Sequence, residues 1–382
     1  MYAVSFVFPG APDETLRGII REEHFRPPTE IGGLRLRHWS PHRRKVLGRY
    51  LFRDESSVNA FVGNPADHDP VVRRMAAHLG RGPQVAGTIE AISRDPLERP
   101  IFIVSAPRAG CTLLFECLTA ADRIWSIRME SSGVIEGIAA LNPAARGFET
   151  HRLTGLDASE ENREALRYGF IAELCDSDGR RLLDLPSASM PTTVRMLEKT
   201  PENALRIPFM LSCFPDASFI YLVRDVHENV SSIIHAWHHN GFVNIPVLPG
   251  WDRGAWHMLL PSGWRAYNGR RIAHVAAFQW ASANSHIIDD LKAVPKERWT
   301  AIDYSSLVRR PDETLRDLCT FLGLGFGSRL ERLASRPLPL SATTVTRPLT
   351  SKWKYNRSFE EADLDEIAPV VDLVRGVPRL GN

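Results

Sequence analysis

Pro100-Ile101-Phe102-Ile103-Val104-Ser105-Ala106-Pro107-Arg108-Ala109-Gly110-Cys111-Thr112-Leu113-Leu114 is the stretch on which the reading of this chain turns. Ile101 to Ser105 is a short apolar run, the mark of a strand buried on both faces in a parallel sheet. A tight turn follows, and the pattern after Gly110 predicts a helix through about Thr119. Free N–H groups at a helix start, together with the helix dipole, make an anion site. Gly110 lets the backbone approach the anion, Thr112 adds a hydroxyl and Arg108 a charge. The loop is not the triphosphate-binding G-x-x-x-x-G-K-[ST]: residues 105–112 offer neither the first glycine nor the lysine.

Working outward, Phe219 to Val223 and Trp299 to Asp303 read as two further buried strands, separated by helical patterns. That alternation predicts an α/β fold with a parallel sheet over residues 98–382. The polar, proline-bounded segment Arg94 to Pro100 reads as a linker. Before it, residues 1–95 read as a separate α+β unit. Strands are expected at Val4–Phe8, Leu34–Trp39, Val46–Phe52 and Gln84–Ser93, and helices at Asp13–Glu23, Glu55–Val62 and Val71–Leu79. The order is β-α-β-β-α-β.

Two resemblances follow from these residues. The amino-terminal unit, with Gly48-Arg49-Tyr50-Leu51-Phe52-Arg53-Asp54-Glu55, resembles the ferredoxin-like domains of the antibiotic-biosynthesis-monooxygenase and YdhR type, which pair into dimeric α+β barrels. That likeness implies dimerisation, with cofactor-free oxygenase activity as the other role such domains take. The second covers residues 100–360. The loop Pro107-Arg108-Ala109-Gly110-Cys111-Thr112-Leu113 resembles the 5′-phosphosulfate loop of sulfotransferases that use 3′-phosphoadenosine 5′-phosphosulfate (PAPS). Cys111 stands where that family usually has Ser or Thr. Phe219 to Asp225 leads to Ser232 and resembles the family's 3′-phosphate element, an Arg at a strand end with a Ser in the next helix. An arginine fork and a hydroxyl suit a dianionic phosphate. Glu198-Lys199-Thr200-Pro201, Asp303-Tyr304-Ser305-Ser306-Leu307 and Ser351-Lys352-Trp353-Lys354 match the lysine element, a C-terminal element and the basic segment that closes over the donor.

The resemblance implies metal-free, in-line sulfuryl transfer. Arg108, Ala109, Gly110, Cys111, Thr112, Leu113, Arg224, Ser232, Tyr304 and Lys352 are expected to hold the donor. Arg108 and Lys199 are expected to neutralise the oxygens around the moving sulfur. An acceptor hydroxyl needs a base. One branch of the family uses a His after the Lys-Thr pair, and Pro201 stands there instead. Glu130 sits at the spacing of the carboxylate used by the tyrosylprotein and carbohydrate branches, with Glu136, Glu149 and His151 as rivals. A kinase or nucleotide triphosphatase, and a dimeric oxygenase or ligand-binding barrel, are the competing function classes.

Composition narrows the partners. A net charge of +2 over 382 residues argues against a broad nucleic-acid surface. No run of eighteen apolar residues is present, so no membrane partner is expected. The five cysteines are scattered without C-x-x-C spacing. They fit a reducing compartment, and the amino terminus lacks a secretory pattern, so the expectation is a cytoplasmic protein, with the homodimer implied by the resemblance of its amino-terminal unit. The acceptor is expected to be a small molecule or a carbohydrate. Trp237, Trp251, Trp256, Trp264 and Trp280, in a long connection, suit a flat apolar or sugar acceptor or, alternatively, a buried core.

Overall fold

The computed structural model describes residues 1–9, 11–24, 31, 34–42, 45–85, 90–92, 94–128, 130–186, 189–239, 242–341, 352–356 and 358–381. The first unit runs β1 (Tyr2–Pro9), α1 (Glu14–His24), β2 (Leu34–His42), β3 (Lys45–Phe52), α2 (Glu55–Gly63), α3 (Pro65–His68), α4 (Pro70–Leu79), β4 (Gln84–Val85) and β5 (Glu90–Ala91). Its strands lie in the order β2-β3-β1-β4, with β5 also on β1, and all pairings are antiparallel. The expected last strand, Gln84 to Ser93, appears as the two short pieces β4 and β5; residues 86–89 and 93 lie outside the described residues. Aspartates start the helices: Asp54 accepts from the Ser57 N–H at α2, and Asp69 from the Val71 N–H at α4.

The second unit carries β6 (Ile101–Val104), α5 (Cys111–Leu118), β7 (Ile124–Trp125), α6 (Ser132–Glu136), α7 (Glu160–Glu173) and β8 (Arg195–Lys199). It continues with α8 (Ile207–Cys213), β9 (Ser218–Val223), α9 (Val226–His238), β10 (Val243–Ile245), β11 (Trp256–His257) and α10 (Ile272–Leu291). It ends with β12 (Trp299–Asp303), α11 (Tyr304–Arg309), α12 (Pro311–Leu322), α13 (Ser328–Ala334) and α14 (Ala368–Arg375). Five strands form one parallel sheet in the order β12-β9-β6-β8-β7. Ile101, Ile103, Ile220, Leu222 and Ile302 point to the face covered by α5, α12 and α13. Phe102, Val104, Phe219, Tyr221 and Ala301 point to the opposite face, with α7 to α10. Burial on both faces is what an unbroken apolar run requires. The chain leaves β6 to both sides, towards β8 and towards β9. In such sheets the crevice at the carboxyl ends of the strands beside this switch point is where ligands bind.

One face of the first sheet packs into the core of the second unit, while the other face has a core of its own. In β3, Tyr50 and Phe52 face the helices α2 and α4 of the first unit. Leu51 faces the other way and joins Ala3 and Leu36 in the cluster that contains Val134 and Phe170. A sheet with helices on one face must cover the other. The sequence reading assigns that cover to a second copy closing a barrel. In this structure the chain's own α6 and α7 lie there, and Arg35 pairs with Glu161 at 2.6 Å and Arg49 with Glu173.

Candidate active site

The loop after β6 is held open by backbone conformation. Arg108 adopts φ 64° and Gly110 φ 107°, both in the left-handed region. Gly110 caps α5 without a side-chain hydrogen bond, so the first N–H groups of that helix are left to a ligand or water. A Cβ on Gly110 would stand 2.5 Å from the Tyr304 ring, so glycine is needed for space as well as for conformation. The loop is tied to the start of α9 through its carbonyls. Arg224 Nη1 donates to Arg108 O at 2.9 Å, and Asn229 Nδ2 donates to Pro107 O at 2.7 Å.

Tyr304 joins the third motif to the first two. It opens α11, touches Gly110, and carries the Arg224 guanidinium 4.8 Å above its ring centroid. Arg224 also meets Glu228 at 3.4 Å. Ser232 lies half-buried about two turns along α9, and its neighbour Ser231 accepts from Asn356 Nδ2 at 2.8 Å. The 352–356 turn therefore packs on α9, with Trp353 stacked on His227 at 4.7 Å. Ser351 lies outside the described residues, and Lys352 is described by its backbone alone. Beside Arg224 and Tyr304 a cavity of about 450 Å³ opens, with Arg309, Arg375 and Arg379 in its wall.

At the other edge of the loop, Lys199 ends β8. Its Nζ donates to Glu130 Oε1 at 2.7 Å. Lys199 is buried, whereas the Glu130 side chain is 46% exposed. Burial pulls the Lys199 ammonium down, but Cys111 and Glu130 more than offset this and hold it above its ordinary value. Thr200 fixes the same turn from below: its Oγ1 accepts from Ser131 N–H at 2.6 Å and itself donates to the buried Glu198. Arg108 lies over the Phe242 ring at 4.0 Å. Burial, followed by the repulsion of Arg224, pulls its guanidinium below the ordinary range. Burial raises the Cys111 thiol above its ordinary value. Ala109 and Leu113 are buried, so their backbone is what they offer; Thr112 is half-buried in the first turn of α5.

Thus the loop after β6, Lys199 at the end of β8, Arg224 after β9 and Tyr304 after β12 occupy the carboxyl ends of four neighbouring strands. The rivals to Glu130 sit elsewhere. Glu136 is buried and accepts from Arg206 Nη2 at 2.7 Å. His151 is buried, with Nδ1 accepting from Leu260 N–H at 2.9 Å. Glu149 is exposed and paired with Arg265 at 2.7 Å. The five tryptophans are core: Trp237, Trp251, Trp256, Trp264 and Trp280 are at most 6% exposed, and most pack edge to face. Of the five, Trp280 also contributes to the wall of the cavity beside Arg224 and Tyr304.

Glu202 is the polar group that the sequence reading missed. It is buried, accepts from Asn244 Nδ2 at 2.7 Å and from Ser132 Oγ at 3.3 Å, and feels the charge of Glu130. Burial, then Glu130, pushes its carboxyl up to about 7. Its place in Lys199-Thr200-Pro201-Glu202-Asn203 was the available signal: it stands directly after the proline that replaces the family's histidine.

The chain is similar to known proteins. The sequence model of a family described as "Sulfotransferase family" matches residues 100–327. Protein-tyrosine sulfotransferase A of Caenorhabditis elegans is 22% identical over 286 residues, covering 71% of this chain and 65% of that protein. The protein-tyrosine sulfotransferase of Drosophila melanogaster is 22% identical over 291 residues, covering 72% of this chain and 51% of that one. This chain thus spans between half and two thirds of the length of these relatives. Among solved structures, sulfotransferase STF9 from Mycobacterium avium has a TM-score of 0.41 at 16% identity, covering 75% of this chain and 79% of that one. Mouse sulfotransferase SULT7A1 complexed with PAP has a TM-score of 0.39 at 15% identity, covering 74% and 88%.

Proposed function

The chain belongs to the sulfotransferase family, and from that premise we propose that it moves a sulfuryl group from PAPS to an acceptor hydroxyl with Glu130 as the base. The observation that carries this is the Lys199–Glu130 pair at 2.7 Å, set at the strand ends beside an uncapped helix start. PAPS supplies the sulfuryl group and leaves as 3′,5′-adenosine bisphosphate (PAP). The fit rests on the open N–H groups of α5 for the 5′ end, and on Arg224 with Ser232 for the 3′-phosphate. Lys352 and Tyr304 belong to the same donor wall in this reading. The acceptor oxygen forms the new S–O bond as the S–O bond to the donor phosphate breaks. The acceptor proton passes to Glu130, and Arg108 and Lys199 neutralise the charge that moves onto the sulfonyl and leaving oxygens. No metal is used in this scheme.

The acceptor class stays wider than a small molecule or sugar. The buried tryptophans remove the argument for a flat ligand. A tyrosyl peptide, phenols, alcohols and sugars are therefore screened together. We place the chain in the cytoplasm on its five free cysteines. Among the described residues no helix is long and apolar enough to cross a membrane.

The test is radiolabelled transfer from PAPS to 4-nitrophenol, N-acetyltyrosinamide, octanol and glucose, with Glu130→Gln as the partner variant. Loss of the base should lower turnover by roughly 10²–10⁴-fold. PAP affinity by calorimetry should stay within about threefold, because no donor contact is removed. Near-normal turnover in Glu130→Gln would take the role away from this carboxylate.

A further inference from the structure

The turn that carries Glu130 has little to hold it by itself. Arg128, two residues earlier, adopts φ 59°, a conformation that persists only when the surroundings enforce it. The helix after it, α6, has five residues, and Ser131 at its start makes no side-chain cap. A helix this short has no stability of its own, so packing must fix it. One side of the turn is pinned by Thr200 and Arg206 from the transferase unit, through Ser131 and Glu136. The other side meets β2 of the amino-terminal unit.

That second contact is unusually close. Arg37 N–H donates to Gly137 O at 3.2 Å, just past the end of α6. A Cβ on Gly137 would stand 2.5 Å from the Arg37 carbonyl oxygen. A Cβ on Gly133, within α6, would land on the far end of the His38 ring. On α7, a Cβ on Gly169 would stand 2.7 Å from Leu36 and 2.8 Å from Val134. Gly133 on α6, Gly137 just past it and Gly169 on α7 thus make room for Leu36, Arg37 and His38 of one strand. The strand is itself held: Arg37 reaches buried Asp69 at 3.0 Å, and Asp69 also accepts from Tyr50, whose hydroxyl takes the Trp39 Nε1–H at 2.8 Å.

We propose that the amino-terminal sheet is a positioning element of the transferase site: through β2 it fixes α6, and so sets where the Glu130 carboxylate stands. The idea rests on the reading of Glu130 as base. It assigns the first unit a role inside its own chain, other than pairing with a second copy or an oxygenase reaction. Arg37 and His38 act through backbone and ring packing on α6, so they are positioning residues and touch no substrate.

The test uses the full chain with Gly137→Ala, whose Cβ would press on the Arg37 carbonyl of β2 and also on the Gly133 carbonyl of α6, so Gly133→Ala, whose nearest neighbours are atoms of the His38 ring of β2, is run beside it. Hydrogen exchange of the amides of residues 131–136, read by mass spectrometry, should accelerate on the order of tenfold, a readout that needs no acceptor. Turnover with the acceptor found in the panel should fall by about tenfold or more, as expected when a reacting group is misplaced by a fraction of an ångström. PAP affinity should stay within about threefold, because the donor loop is not in this contact. Should Gly137→Ala lose PAP binding and fold, Gly133→Ala decides: exchange and turnover should change in that variant and recover when His38→Ala is added. Unchanged exchange at 131–136 in a folded variant overturns the proposal. Faster exchange with unchanged turnover also overturns it if Glu130→Gln is inactive. If Glu130→Gln is itself active, the base assignment has failed instead, while the exchange result still reads the contact.

Discussion

Lys199 ends a strand and meets Glu130 at 2.7 Å; both residues were named from the family spacing, but neither the strand end nor the contact was legible in the sequence. Glu202 was not named, because what makes it unusual comes from the fold. Its hydrogen-bond partner Asn244 arrives from a hairpin strand more than forty residues later, and the neighbouring charges are those of Glu130, Arg206 and Glu136. A carboxyl raised from 4.5 to about 7 has a consequence for stability. Between those values the folded chain keeps a proton on Glu202 that the unfolded chain releases. The contribution of this group is therefore most favourable below pH 4.5 and is lost as pH rises through 7. Glu202→Gln keeps an acceptor for Asn244 and can no longer ionise. It should gain on the wild type as pH rises, by on the order of 2–3 kcal/mol between pH 5 and pH 8. Thermal midpoints of the two proteins at both pH values give the difference directly, and an equal gap at pH 5 and pH 8 would contradict a raised carboxyl.

At the scale of elements, strands β6, β9 and β12 were readable as apolar runs, whereas β8 and β7 were not. The residues of β8, Arg195-Met196-Leu197-Glu198-Lys199, are buried from Met196 on, yet the charged ends hide the run. Glu198 is tolerated there because Thr200 and Asn203 hydrogen-bond it, and β7 has only two residues. The strand-loop-helix joint itself was legible down to the glycine. Its close neighbour Tyr304 was foreseen as a donor contact, but the ring lying on Gly110 was not. Gly110→Ala should therefore harm the loop twice, through its φ of 107° and through Tyr304. We expect a stability loss of about 1–3 kcal/mol and PAP affinity lower by roughly tenfold or more, since the cradle carries the phosphate contacts. Calorimetry with PAP checks this; wild-type affinity in the variant would show that the loop does not hold the donor.

At the scale of the whole molecule, the alternation in β3 showed that the first sheet has two apolar faces. Sequence period cannot say what covers the second, because any apolar surface would satisfy it. Here Ala3, Leu36 and Leu51 enter the core of the transferase unit. The two units should then unfold together. Leu51→Ala, at a site 1% exposed, should cost about 2–4 kcal/mol for the lost contacts and the cavity. Scanning calorimetry should show one transition shifted down as a whole. A separate early transition for the first 95 residues would mean that the shared core is weaker than its burial indicates.

The three glycines opposite β2 have a meaning for transferase chains that lack such a sheet. Together they form a mould: a strip of missing side chains, shaped to receive one extended strand. A transferase unit that keeps the strip but carries no strand of its own would leave backbone carbonyls and apolar side chains open to water. Such a chain should be sticky when expressed alone, and it should accept a synthetic peptide with the sequence of residues 34–39 as a replacement part.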